Sequence, residues 1–278
     1  QFIRALGKIK IFAISGIITA ICLGVFNILL IGILKLGIIG YLFAGTMSIL
    51  VSTLYMNSKV NIIQYINPSK IRKDVIKKLV NYSLPLMPNS IMWWVINASS
   101  RYFILIFAGT VFNGLFAVAS KIPGIFSIFN SIFFKAWQLS AIEEYNSDEK
   151  GKFYSTIFNY YQQFLFLANA LALIFIKPIF LIAIDEKFYN AWIYVPFLLV
   201  ASLFSSFSSF FGANYIAAKK TMGVFRTSVI GGVVNISLNC LLIPFIGVIG
   251  ASLASLSSFI VITVLRLKDS QKYIEMTY

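Results

Sequence analysis

Long apolar runs separated by short clusters of polar residues are the main pattern of this sequence. Windows without a charged residue run from Ile11 to Leu34, Leu36 to Ser58, Phe153 to Ile176 and Phe188 to Ala218. Each is at least as long as the roughly 20 residues that a helix needs to cross about 30 Å of hydrocarbon. These four windows therefore predict four membrane-spanning helices.

Four further spans are predicted in two longer stretches, each of which is interrupted by a turn. The stretch from Thr227 to Leu265 is too long for one span and contains the sequence PFIGVIG, so we expect two helices with a tight connection. From Ser83 to Ala108 another helix precedes the turn GTVFNG, and a partner returns from about Val111 to Leu139. The pattern predicts an all-α integral membrane protein of eight spans, with both ends on one side.

The composition agrees with this prediction, and the distribution of charged residues predicts how the spans are oriented in the membrane. Of 278 residues, 59% are hydrophobic and 12% charged. Seventeen Lys and Arg residues fall in segments that the eight spans place on one side: 1–10, 57–82, 140–156, 216–226 and 266–278, with Arg266 opening the last. The opposite loops hold three. Short basic loops stay in the cytoplasm, so we expect both ends there. Topology accounts for most of the net charge of +14, and no nucleic-acid partner is expected.

The most polar internal stretch divides two spans from six. It contains NPSKIRKDVIKKLVNY, with a helix-start signal at Pro68 and Ser69 and apolar Ile71, Val75 and Leu79 at intervals of four. This is either an amphipathic helix on the inner leaflet or a solvated charged linker. The predicted organisation is two spans in 1–56, a basic linker in 57–82, a six-helix bundle in 83–266 and a cytoplasmic tail in 267–278.

Small and hydroxylated residues form two further patterns. Gly250, Ala254 and Ser258 recur every four residues, which predicts close helix packing in lipid. The segment SLFSSFSSFFGANY, residues 202–215, carries many hydroxyls at mid-membrane depth. These serines either join helices or form one wall of a polar cavity.

Signatures of catalysis are missing from the sequence. It has no histidine, which removes the usual general base and the commonest metal ligand. No phosphate-binding glycine loop or zinc-ligand spacing occurs, and all nine acidic residues fall in predicted loops or at membrane edges. We therefore expect no catalytic residue, no metal and no cofactor, and a carrier role rather than an enzyme.

Three cations of one predicted hairpin are the candidate binding residues. Arg101, Lys121 and Lys135 are the only charged residues between Leu79 and Leu139. If Gly109 marks the outer turn, Arg101 lies about 12 Å and Lys121 about 18 Å below it. No carboxylate is available at those depths, so an anionic ligand or water must stabilise this ladder of charge.

Except for Lys121, which lies near mid-depth with Pro123 within one turn and is the hardest to explain in this way, the candidate residues also have a structural interpretation. Arg101 is able to extend to the outer interface, and Lys135 to the inner one with Trp137 as an interfacial anchor. Trp93 and Trp94, halfway along their span, are either core packing or stacking surfaces for a sugar ring. These alternatives stay open at the level of sequence.

Five segments occur in this order along the chain: YSLPLMPNSIMWWVINASSRYFI, ASKIPGIF, FKAWQLSAIEEYN, KFYNAW and NISLNCLLIPFIGVIGASLAS. Together they resemble the Wzx-type polysaccharide flippases of the multidrug/oligosaccharidyl-lipid/polysaccharide (MOP) exporter superfamily. The resemblance implies helices five to twelve of a twelve-helix, two-bundle transporter fold. Residues 1–56 would then be the last two helices of the N-terminal bundle, and four helices would precede residue 1.

The same resemblance implies a function. Alternating access through a cationic cavity would carry undecaprenyl-diphosphate-linked repeat units across the bacterial inner membrane. Arg101 matches the family's Asp-Arg-Tyr-like step and Lys121 its Lys-Ile-Pro step, whereas Ser100 stands where an acidic residue is expected. The expected partners are the lipid-linked oligosaccharide, membrane lipids, a polysaccharide polymerase and a chain-length regulator, with the protein itself monomeric.

Two other hypotheses concern gating and alternative functions. Glu143 and Glu144 on the cytoplasmic side, and Asp185 and Glu186 on the outer side, are candidates for gate pairs with nearby lysines. A multidrug exporter of organic cations would need acidic residues in its cavity, and a membrane polymerase or glycosyltransferase would need a long outer loop with catalytic residues. Both remain alternatives to the flippase.

Overall fold

The structure is a computed structural model that describes residues 3, 6–65, 72–84 and 86–276, without the side chains of 62, 63, 86 and 88. No strand occurs in these ranges. In chain order the helices are α1 (Ile9–Asn27, continued by a π-helix, Ile28–Ile33), α2 (Gly37–Val60), a 3-10 helix (Ile62–Tyr65), α3 (Lys73–Ser83), α4 (Leu86–Phe107), α5 (Thr110–Ala119), α6 (Lys121–Glu144), α7 (Lys150–Ala183), a 3-10 helix (Glu186–Tyr194), α8 (Val195–Ala217), α9 (Thr221–Ile246) and α10 (Val248–Ser270).

The predicted fold class is confirmed. In the described part of the chain, eight helical segments are long and apolar enough to cross a membrane, and each overlaps one of the eight predicted spans. Glycines allow two of the turns, because Gly109 (φ 89°) and Gly247 (φ 59°) adopt a backbone conformation that side chains with a Cβ disfavour. The hairpin after Gly109 and the break in PFIGVIG therefore lie where the sequence placed them.

The return helix of that hairpin differs from its prediction as one continuous span. It is divided at Ser120 into α5 and α6. Pro123 has no N–H to donate to the carbonyl of Ala119, and its ring crowds that carbonyl. The interruption lies directly beside Lys121, at the first turn of α6.

The chain forms two compact units, Gln1–Ile76 and Lys77–Tyr278, whose boundary falls inside the predicted linker. In the first unit α1 and α2 pack together, and Ser52 Oγ donates to the carbonyl of Ser15 over 3.2 Å. The linker contains the helix α3, on which Val75 and Leu79 are exposed. The predicted helix start at Pro68 and Ser69, Ile71, and the basic residues Arg4 and Lys70 lie outside the described residues.

The second unit is organised around α8 and α10. In the span Glu186–Ala217, which contains α8, 50% of the most apolar window is buried, and in α10 the share is 56%. Trp137 is part of an aromatic cluster here, stacked on Phe210 at 4.3 Å between ring centroids and only 3% exposed. The prediction that Trp137 is an interfacial anchor is therefore wrong. The predicted tail is not free either, because Ile274 and Met276 pack into the same cluster.

Candidate functional site

A cleft of about 420 Å³ lies between α4, α5, α6, α8 and α10 of the second unit. Its lining combines one cation with hydroxyls, an amide and aromatic rings: Trp94, Asn97, Ala98, Ser100, Arg101, Phe116, Ser120, Pro123, Gly124, Ser127, Leu198, Ala201, Ser202, Ser205, Ser255 and Phe259. Among these described residues Arg101 alone is charged. The cleft therefore offers a positive charge in otherwise neutral surroundings, where hydroxyl and amide groups alternate with apolar side chains.

Helical spacing explains how three helices contribute to this lining. Trp94, Asn97, Ala98 and Arg101 recur at intervals of three or four along α4, and such residues share one helix face. The same spacing holds on α8 for Leu198, Ala201, Ser202 and Ser205, and across the α5–α6 interruption for Ser120, Pro123, Gly124 and Ser127. Each helix thus presents one narrow stripe to the cleft.

The guanidinium of Arg101 is available to a ligand. Arg101 is exposed, and within the described ranges it makes neither a hydrogen bond nor an ion pair. The neighbouring Ser100, where the family resemblance predicts an acid, is 1% exposed. No carboxylate of the described chain therefore neutralises Arg101.

Ser100 belongs to an uncharged hydrogen-bond network behind the cleft. Asn239 Nδ2 donates to Ser100 Oγ at 3.2 Å and to Asn235 Oδ1 at 2.9 Å, and Ser99 Oγ donates to the same Asn235 oxygen at 2.7 Å. Ser255 Oγ lies 3.4 Å from Ser100 Oγ. The network joins α4, α9 and α10 and leaves Asn235 Nδ2 and Asn239 Oδ1 without a partner among the described residues. Buried polar groups of this kind fix how helices pack in a low-dielectric interior.

Of the five predicted binding residues, the structure places two in the cleft. Arg101 and Trp94 line it, with Trp94 62% exposed. Trp93 is not in the lining and packs on Phe259 at 5.3 Å between ring centroids. Lys121 and Lys135 are exposed on α6 outside this lining, and their binding role stays a prediction.

The four candidate gate acids are not in ion pairs within the described part of the chain. The carboxylate of Asp185 instead caps the 3-10 helix that follows it, accepting from the backbone N–H of Lys187 at 3.0 Å. Lys177 lies over the ring of Trp192, 4.5 Å from its centroid. Gating by Glu143, Glu144, Asp185 and Glu186 stays a prediction.

The serine series of α8 contributes to the wall of the cleft, which is one of the two roles that the sequence left open. Ser202 and Ser205 line the cleft, whereas Ser206 and Ser208 donate to carbonyls of their own helix. The carbonyl of Ser208 also accepts a hydrogen bond from Arg266. One helix therefore forms a cavity wall on one face and a packing surface on another.

Arg266 is the important charged residue that the sequence reasoning misplaced. Counted with the cytoplasmic residues, it is in fact 2% exposed in the core. Its Nε donates to Thr227 Oγ1 at 3.0 Å, Nη1 to the Ser208 carbonyl at 2.8 Å, and Nη2 to Ser228 Oγ at 2.8 Å and the Val224 carbonyl at 3.2 Å. A signal was present: the repeat of Gly250, Ala254 and Ser258 continues at intervals of four through Ile262 to Arg266.

No protein-family model matches the chain, and no curated protein matches it significantly. Several solved structures, in contrast, match the chain. The Vibrio cholerae MATE transporter VcmN, in a mutant form, superimposes with a TM-score of 0.85 at 14% identity, over 97% of this chain and 64% of that one. A MATE protein in a bent conformation gives 0.78 at 13% identity, over 98% of this chain and 64% of that one. A MOP superfamily transporter from Pyrococcus furiosus, described as having a binding pocket of reverse polarity, gives 0.57 at 17% identity, over 72% and 47%.

These comparisons establish the fold. The chain is a multi-pass membrane protein that shares the fold of MATE transporters of the MOP superfamily and spans about 64% of the length of the first of them. Among the described residues, no three His, Cys, Asp or Glu side chains come together as a metal site. What the cleft offers chemically is recognition: a guanidinium for an anion, hydroxyls and an amide for polar groups, and Trp94 for an apolar ring face.

Proposed function

We propose that this chain is the larger part of a membrane transporter that moves lipid-linked oligosaccharides across the bacterial inner membrane by alternating access. The lipid carrier would be undecaprenyl diphosphate, and the process polysaccharide or O-antigen biosynthesis. The observation that carries the proposal is Arg101, exposed in the cleft with no carboxylate in the lining. A diphosphate cannot enter hydrocarbon without a compensating charge, since desolvation costs several kcal/mol per charge.

The rest of the cleft suits the other parts of such a substrate. Asn97, Ser202 and Ser205 supply the amide and hydroxyl groups that hydrogen-bond sugar hydroxyls. Trp94 supplies an exposed aromatic face beside them. Lys121 and Lys135 would extend the positive charge along α6 in another conformation of the transport cycle. The resemblance of the five sequence segments to flippases supports the same assignment.

Multidrug export is the second candidate, because one structural neighbour is described as a multidrug resistance MATE family transporter. The charge of this cleft argues against an organic cation as cargo, since Arg101 would repel it and no lining carboxylate would attract it. The Pyrococcus furiosus neighbour is described with a pocket of reverse polarity that suggests a different function. This description supports the idea that the polarity of the pocket distinguishes transporters of different cargo.

The test is complementation of a flippase-null strain with the full-length protein. Arg101→Ala should abolish surface polysaccharide and cause lipid-linked repeat units to accumulate, because the diphosphate loses its compensating charge. Arg101→Lys should restore part of the export, since it keeps the charge without the bidentate geometry. Lys268→Ala, which removes an exposed cation outside the cleft, is the matched control at equal protein levels.

Two results would contradict the proposal. Normal surface polymer from Arg101→Ala would remove the cleft arginine from the substrate path. Resistance to cationic drugs upon overproduction, increased by Arg101→Glu, would favour the multidrug exporter.

A further inference from the structure

A second concave site lies at the ends of α8, α9 and α10, away from the cleft. This basic pocket, of about 550 Å³, has four cations in its wall, Lys219, Lys220, Arg226 and Lys272, against one carboxylate, Asp269. All of them belong to the second compact unit. The five side chains leave an excess of three positive charges around one cavity.

The single carboxylate of the pocket is already engaged. Asp269 Oδ1 accepts from Lys272 Nζ at 2.7 Å, and Asp269 Oδ2 accepts from the hydroxyl of Tyr215 at 3.0 Å. The hydrogen bond to Asp269 raises the pKa of the Lys272 ammonium. Lys219, Lys220 and Arg226 have no carboxylate within 4 Å among the described residues.

The floor of the pocket adds charge from inside the bundle. Thr227, which lines the pocket, accepts a hydrogen bond from the buried guanidinium of Arg266. The hydrogen-bond acceptors of Arg266 in the described part of the chain are hydroxyls and carbonyls, so its positive charge is not neutralised by a neighbouring carboxylate. A charge held in a low-dielectric interior acts over a longer distance than one in water.

The backbone of the pocket wall has one further feature. Lys219 adopts a φ of 58° just after the end of α8, where glycine is preferred because it has no Cβ. A lysine at this position is therefore less stable than a glycine would be. Helix α9 begins in the same wall without a side-chain cap, which leaves the positive end of its dipole open to an anion.

We propose that the basic pocket binds a phosphate group, carried either by an anionic lipid headgroup or by a soluble diphosphate. Three unpaired cations, one of them the fork of Arg226, match the several oxygens of a phosphate better than the two of a carboxylate. In the predicted topology the pocket lies at the cytoplasmic surface, where anionic lipids are recognised by basic pockets between helices. The site is independent of the cleft and of the cargo proposed for it.

The experiment measures binding to the purified full-length protein. Titration calorimetry with inorganic pyrophosphate at low salt tests the soluble source. Mass spectrometry of phosphatidylglycerol retained from mixed phosphatidylglycerol–phosphatidylcholine nanodiscs tests the lipid source. Lys219→Gly and Arg226→Gln should each weaken pyrophosphate binding or lipid retention by roughly tenfold, the loss of one charge-assisted contact.

The controls separate binding from folding. Lys219→Gly relieves the backbone strain, so the variant should unfold at the same or a higher temperature than the wild type while its binding falls. Lys35→Gly is the matched control, because Lys35 also has a positive φ, 51°, and lies outside the pocket. It should bind like the wild type.

Each outcome decides the proposal. Weakened pyrophosphate binding in both variants assigns the site to a soluble diphosphate, and loss of retained phosphatidylglycerol alone assigns it to a lipid headgroup. A wild-type protein that binds neither probe, or pocket variants that bind as Lys35→Gly does, would overturn it.

Discussion

Two arginines of the same bundle are used in opposite ways. Arg101 on α4 is exposed in the cleft and has no partner among the described residues. Arg266 on α10 is 2% exposed and donates four hydrogen bonds to groups on α8 and α9. The first guanidinium is free for a ligand, whereas the second joins three helices. Residue type therefore does not decide the role of a cation in the helix bundle; the hydrogen bonds around it do.

The largest effect on stability should come from Arg266→Ala. It removes the donor for two buried carbonyls and two buried hydroxyls, so we expect a loss of about 3 kcal/mol or more. Thermal unfolding in detergent would show this as a markedly lower midpoint. Lys268→Ala, an exposed cation two residues further along α10, should leave the midpoint unchanged. Equal midpoints for both variants would show that Arg266 does not hold the helices together.

A smaller effect is expected where α10 approaches α9. A Cβ on Gly250 would lie 2.7 Å from the carbonyl carbon of Leu242 and 2.9 Å from the nitrogen of Ile243, both backbone atoms that cannot rotate away. Gly250→Ala should therefore cost about 1–3 kcal/mol by overpacking, which thermal unfolding in detergent would measure. Gly16→Ala on α1, with no atom within 4 Å of its Cβ, is the control and should be neutral or stabilising. A stable Gly250→Ala variant would contradict the close packing of the two helices.

Removal of one partner of Arg266 should have a milder effect than removal of the arginine. Thr227→Val preserves the shape of the side chain but leaves the Nε donor of Arg266 unpaired, at a cost of about 1 kcal/mol or slightly more in the same unfolding assay. The exposed Thr156→Val on α7 is the matched control. If Thr227→Val is as damaging as Arg266→Ala, the four hydrogen bonds act as one unit rather than separately, which a double variant would measure.

The smallest effect on stability is predicted for Arg101→Met. With no partner to lose, the variant should unfold within about 0.5 kcal/mol of the wild type, as surface substitutions do, even though its transport should fail. Unfolding midpoints measured on the same preparations as the Arg266 variants would check this. A strong destabilisation would show that Arg101 has a structural role and would remove the contrast between the two arginines.

Much of the fold could be predicted from the sequence, because the length of an apolar run is set by membrane thickness and turns are set by local chemistry. All eight spans and the glycine turns at Gly109 and Gly247 follow from these rules. Trp137 shows the limit of such reasoning. It was expected at the interface because tryptophan is enriched there, but its ring fits between Phe210 and Tyr154, and no local pattern encodes that contact.

Part of the candidate site could also be predicted from the sequence, because local chemistry marks some residues by itself. The sequence singled out Arg101 because a charge in a long apolar run is conspicuous by itself, and it identified Trp94 as a possible stacking surface. Lys121 is equally conspicuous but lies outside the cleft lining. The face of α6 that lines the cleft depends on how this helix is oriented after the interruption at Ser120. Ser202 and Ser205 become part of a binding site only because residues of α4 and α6 line the same cleft.

Hydrophobicity and charge along the sequence were enough to predict eight runs long and apolar enough to cross a membrane, an asymmetric distribution of the basic residues, and interior charges that are cations. These properties depend on hydrophobicity and charge summed along the chain, which need no knowledge of contacts. The tertiary structure decided which cations are satisfied and which are free, because hydrogen-bond partners such as Ser208 and Thr227 for Arg266 are separated from it by 58 and 39 residues. Packing, not local sequence, brings such partners together.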